Sequence, residues 1–185
     1  MMPHKVKHSD GVYRNSRDFN AWTNIMLRSG RIGNHSEKYP TYSGCSCSEL
    51  FSKFEPFVGW FSCQKGYDKA FHIDKDLLFE GNKVYSEDTC ILLPRELNVL
   101  FKVKYSTNNT GFVGVTKVRN KYRAVIANPE KSVGIHLGYF LTPEEADLAY
   151  RIEKANIIIR LTEKYANDLD ERAVIALKLR ANKLY

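Results

Sequence analysis

Residues 111–150 read GFVGVTKVRNKYRAVIANPEKSVGIHLGYFLTPEEADLAY, and this stretch sets the fold of the second half of the chain. Three runs, 112–118, 122–127 and 133–140, are rich in β-branched and aromatic residues. Asn, Lys, Pro and Glu separate them, which is the punctuation of short antiparallel strands. A helix is expected next, with Thr142 as N-cap, Pro143 at the first helical position and Glu145 three residues after the cap. In such a capping box the hydroxyl and the carboxylate each accept a backbone N–H that the first turn would leave orphaned.

Across the whole chain, 28 Lys and Arg stand against 21 Asp and Glu, a formal charge of +7. A positive field of that size draws phosphate, and it draws acidic protein surfaces as well. The chain has 185 residues, room for one ordinary domain or two small ones. No run approaches a membrane span and no charged-then-apolar leader opens the chain, so a soluble protein with no membrane partner is expected. Cys45 and Cys47 form a lone Cys-x-Cys, while Cys63 and Cys90 stand apart. Structural zinc calls for paired ligands at tight spacing, so no zinc site is expected and the four cysteines read as reduced thiols.

The organisation expected is a basic arm over 1–17, a first domain over 18–101, a polar linker over 102–110, a second domain over 111–166 and a terminal helix over 167–185. In the first domain Phe19, Trp22, Ile25 and Met26 recur at helical spacing, predicting a helix over 18–28 that stops near Gly30 and Gly33. A second helix is expected over 48–61, and strands are expected over 70–73 and 90–93. Pro94 opens a short helix over 95–101. Asp168 followed by Glu171 is a further N-cap signature, introducing the last helix. The fold class is therefore α+β.

The strand–strand–strand–helix order, with Leu137-Gly138-Tyr139-Phe140 before the cap and Glu-Glu-Ala then Ala-Tyr after it, resembles the AP2 DNA-binding domain. That resemblance implies a three-stranded sheet whose outer face meets DNA while its helix packs behind. By alternation Val115, Tyr122, Ala124, Ile126, Ile135 and Leu137 match inward positions. The outward set is Thr116, Val118, Lys121, Arg123, Val125, Ala127, Gly134 and His136. Lys121, Arg123 and His136 are the residues able to reach phosphate or a base edge, and Lys117, Arg119, Lys102 and Lys104 would add peripheral contacts.

The first domain carries its own resemblance. His72-Ile73-Asp74-Lys75-Asp76-Leu77-Leu78, Gly81-Asn82-Lys83-Val84-Tyr85-Ser86 and Thr89-Cys90-Ile91-Leu92-Leu93-Pro94 are similar to phage HNH homing endonucleases. Trp22-Thr23-Asn24-Ile25-Met26-Leu27-Arg28 and Pro40-Thr41-Tyr42 match the same group, in which an AP2-like domain follows the nuclease-like half. The resemblance implies a phage or mobile-element protein acting in the cytoplasm of a bacterial host. His72 takes the general-base position, Asp74 and Asp76 that of ligands to Mg2+ or Mn2+, and Asn82 the position that shapes the loop. Two positions depart from the pattern: Phe71 stands where the family places a metal ligand, and Thr89 or Cys90 where it places the last one.

The leading expectation is a DNA-binding protein, with RNA as a further partner, of the HNH–AP2 group. A metal-dependent endonuclease activity is open, since the motif keeps the shape of the site better than its ligands. A second expectation is an inhibitor of a host defence nuclease, of the anti-CRISPR type acting on a Cas effector such as Cas9. It rests on the missing ligands and on the apolar outward residues Val118 and Val125. The third is a DNA-binding regulator without enzymatic activity.

Overall fold

The computed structural model describes residues 16–33, 38–101, 110–131 and 133–185. The expected basic arm, except its last two residues, and the expected linker, except Thr110, lie outside the described residues, as do Lys102 and Lys104. The chain forms two compact units, dividing after Leu92. The expected boundary stood later, at 101, after a short helix that belongs to the second unit.

The first unit opens with α1 (Arg17–Arg28), capped by the Ser16 hydroxyl, which accepts the Phe19 N–H at 3.1 Å. The expected helix over 48–61 is two helices, α2 (Glu49–Ser52) and α3 (Phe54–Ser62), broken at Lys53 with φ −114° and ψ 136°. Pro56 is the reason. In a continuous helix its ring would clash with the Ser52 carbonyl, and its missing N–H would leave that carbonyl unbonded. As the third residue of a new helix, it lacks only an N–H that would have had no intrahelical partner. The aromatic stripe is core: Phe51, Phe57 and Phe61 are fully buried, with ring centroids 5.2 Å apart in both the Phe51–Phe57 and Phe57–Phe61 pairs. Each such pair contributes about 0.5–1.5 kcal/mol beyond its buried area.

Short strands complete this unit. β1 (Ser46–Cys47) runs parallel to β3 (Val84–Tyr85), and β2 (His72–Asp74) pairs with β4 (Ile91–Leu93), the latter buried throughout. The strand expected over 70–73 begins instead at His72, because Ala70 sits in the left-handed region at φ 56°.

In the second unit α4 (Arg95–Asn98) is held by the Tyr165 hydroxyl, which donates to Glu96 at 3.1 Å. β5 (Val115–Val118), β6 (Lys121–Ala127) and β7 (Gly134–Phe140) form one antiparallel sheet in the order β5-β6-β7. The first strand starts later than 112 because Gly111 and Gly114, at φ 77° and 74°, bend the approach. A side chain at Gly114 would also lie 2.4 Å from the Tyr150 ring.

α5 (Pro143–Lys164) carries the expected capping box. Glu145 N donates to Thr142 Oγ1 at 3.2 Å, and Thr142 N donates to Glu145 Oε2 at 3.2 Å. Its Ala146 joins Val115 and Ala124 in a buried cluster, with Phe112, Tyr122, Leu137 and Phe140 packed around it. α6 (Glu171–Asn182) packs back on α5 through Ala173, Leu177 and Ala181. Its cap is Asp170, whose carboxylate accepts the Arg172 N–H at 2.8 Å, and not Asp168. Asp168 lies in the preceding turn, its own N–H donated to the Tyr165 carbonyl at 2.9 Å, so Asp170 is the residue beside the free helix amides.

The architecture is thus α+β, with six helices and a three-stranded antiparallel sheet among the described residues. No described helix is long and apolar enough to cross a membrane.

Candidate nucleic-acid interface

Two polar segments are candidates, and the first is the turn after β2. His72 begins that strand and is exposed, while Asp74 ends it. The Asp74 carboxylate accepts the backbone N–H groups of Asp76 at 3.0 Å and Leu77 at 2.7 Å, an Asx-type cap on the turn. Burial pushes this carboxyl above its usual range, and the two amides pull in the opposite direction. Lys75 is buried, 8% exposed, and its ammonium donates to the Asp76 carboxylate and to the Asn82 carbonyl. Its Nζ also lies 5.6 Å from the Tyr85 ring centroid.

Asn82 closes the turn. Its amide donates to the carbonyls of Lys75 at 2.8 Å and Val84 at 2.7 Å, and its oxygen accepts the Val84 N–H at 3.0 Å. The remaining motif positions are also engaged. Phe71 is buried with its ring against Gly66, where an added Cβ would lie 2.2 Å away. Thr89 donates to the Val84 carbonyl at 2.8 Å, and burial pushes the Cys90 thiol up to about 12. Among the described residues no three His, Cys, Asp or Glu side chains are grouped so that they could hold a metal ion. In this structure Asp74, Lys75, Asn82 and Thr89 close the loop.

The second segment is the outer face of the β5-β6-β7 sheet. Residues directly opposite on antiparallel strands share a face. Thr116 opposes Arg123 and Val118 opposes Lys121, while Val115 opposes the buried Ala124. Lys121 and Arg123 therefore point away from the α5 side, and His136, opposite Val125, joins them. Lys117 does not. It opposes Tyr122 on the helix side, exposed at the sheet edge, with its Nζ 6.0 Å from that ring centroid.

Arg119 sits at the β5–β6 hairpin tip at φ 54°. Left-handed backbone is costly for a residue with a side chain, and glycine or asparagine is the usual occupant. Val118 and Val125 are half-buried. Val125 lies over Gly134, where an added Cβ would meet it at 2.8 Å, so the two valines expose less apolar surface than strict alternation implies.

The alternation also fails at one point that matters. The register slips between Ala124 and Val125, so that Gly138 opposes Ala124 while His136 opposes Val125, leaving Leu137 as an extra residue. Gly138 has φ 135°, a conformation essentially reserved for glycine. This bulge reverses the parity of the residues after it. Phe140 turns inward opposite Tyr122, and Tyr139 turns outward opposite Arg123, 52% exposed. The ring centroids of Tyr139 and His136 lie 5.0 Å apart at 57°. Tyr139 is the residue that alternation misses. Gly138 inside a strand is the signal that points to it, since strand glycines mark bulges.

The electrostatics of this face differ from those elsewhere in the second unit. No Asp or Glu occurs between Leu97 and Pro129, and that stretch includes Lys117, Arg119, Lys121 and Arg123. Among the described residues Arg119, Lys121 and Arg123 have no carboxylate partner. On the helices, by contrast, Arg151 pairs with Asp147, Arg160 and Lys164 with Glu130, and Arg172 with Asp170, at 2.6–3.1 Å. Neither a family model, nor a curated protein, nor a solved structure matches this chain.

Proposed function

We propose that this protein binds nucleic acid through the outer face of its β5-β6-β7 sheet. Arg123 and Lys121 meet backbone phosphates, and Arg119 reaches a further one from the hairpin tip. The observation that carries the reading is the set of cations left without a carboxylate on this exposed face among the described residues, while Arg151, Arg160 and Arg172 on the helices of the same unit are paired. A cation that no carboxylate of the chain neutralises is available to displace counterions from a polyanion. Small and apolar neighbours, Thr116, Val118 and Ala127, offer few donors or acceptors to base edges. Binding is therefore carried by backbone charge rather than by sequence.

The resemblance to phage HNH–AP2 homing endonucleases supports the same partner. A cleavage step is not part of the proposal, because Asp74, Asn82 and Thr89 are occupied in holding their own loop.

The test is fluorescence anisotropy with labelled DNA across a salt series from about 50 to 200 mM, a range over which several phosphate contacts give a steep loss of affinity. Arg123→Ala is expected to weaken binding and lower the salt slope by about one, and Lys183→Ala to do neither. Equal effects of the two substitutions would remove the sheet as the binding face. Binding that ignores salt would remove phosphate contacts altogether.

A further inference from the structure

Resting on that reading, we infer that the sheet face takes up an unpaired base, so that it favours single-stranded nucleic acid over a continuous duplex. The bulge in β7 creates the feature responsible. Without the extra residue at Leu137, Tyr139 would point toward α5 and no second ring would stand beside His136. With it, two rings project from one strand onto the solvent face, 5.0 Å apart and inclined at 57°. Two inclined rings offer π-faces, which a base can stack on whatever its identity. They offer little to the edges of stacked, paired bases, which are all that a duplex groove presents.

The neighbours fit this use. Arg123 stands directly across from Tyr139, and Thr116 directly across from Arg123, so cation and ring are adjacent in one cross-strand row. A nucleotide has the same pairing of parts: a flat base and, one sugar away, a negative phosphate. Next along the sheet, Ala127 opposes Gly134, and Val125 opposite His136 lies over that glycine, giving the face an apolar floor beside the rings. Tyr139 is half in solvent in the free protein, so stacking on its ring costs no opening of the core. The charge around the rings is basic, which matches a nucleic acid and not a cationic or neutral peptide.

The experiment compares the full-length protein and its variants against three fluorescent probes: oligothymidylate, oligouridylate and a blunt DNA duplex of equal length. The expected result is tighter binding of the single strands than of the duplex. Tyr139→Ala should weaken single-strand binding about tenfold or more, as loss of one stacking platform does, and leave duplex affinity nearly unchanged. Tyr139→Phe keeps the ring and should bind like the parent, and an unchanged melting temperature of both variants confirms that the fold is intact.

Duplex binding as tight as single-strand binding, with Tyr139→Ala altering neither, overturns this inference and leaves the phosphate-binding sheet standing. Failure of every probe to show salt-dependent binding overturns both.

Discussion

The turn around His72–Asp74 and the face around Lys121–Arg123 look alike in composition. Each is a short stretch dense in charge. In the first unit, the buried Lys75 ammonium lies against Asp76 and the Asn82 carbonyl, and Asp74 is spent on two backbone amides. In the second, Arg119, Lys121 and Arg123 have no carboxylate beside them among the described residues, and two rings share their face. Charge density therefore does not identify a site. What identifies one is charge or ring surface that the chain itself does not use.

The largest expected effect lies in the turn. Asn82→Ala deletes three hydrogen bonds, two of them to carbonyls of the loop, and leaves those groups without their partner. A loss of about 3 kcal/mol is expected, measurable as a lower midpoint in urea unfolding with an unchanged slope. A loss within experimental error would show that the turn is not held as described, and the contrast with the sheet face would collapse.

A smaller effect is expected at Asp74. Asp74→Ala removes the cap and should cost about 1–2 kcal/mol, whereas Asp74→Asn keeps an acceptor for both amides and carries no buried charge. Because burial raises this carboxyl in the folded state, its contribution to stability is fully present below the unfolded value and is lost as pH rises through the folded one. The Asn variant should therefore match or exceed the parent at neutral pH and lose that advantage in acid. Plasmid nicking in Mg2+ or Mn2+ that vanishes in Asp74→Asn and in His72→Ala would undo the contrast from the other side, by giving the turn a catalytic use.

The smallest effect concerns the hairpin tip of the sheet. Arg119→Gly relieves the left-handed backbone at φ 54° and should raise stability by about 1 kcal/mol. On the proposed function the same change would remove one phosphate contact, so DNA binding should weaken slightly and the salt slope fall by about one. Gain of stability without loss of binding would mean that Arg119 sits at the tip for no reason of binding.

The capping box at Thr142 and Glu145, the three strands and the helix α1 were legible in the residues because each depends on neighbours within a turn or a hairpin. The residues alone establish that the chain is α+β, that it carries a basic surplus, and that 111–150 forms a sheet followed by a helix. The rest came from tertiary structure, since whether a charge is spent depends on groups distant along the chain: Asn82 against Lys75, Glu130 against Arg160 and Lys164. So did the side on which Tyr139 stands. A period-two pattern carries no mark of an extra residue except Gly138, and only the register against Ala124 and Val125 turns that glycine into a bulge that presents the ring to solvent.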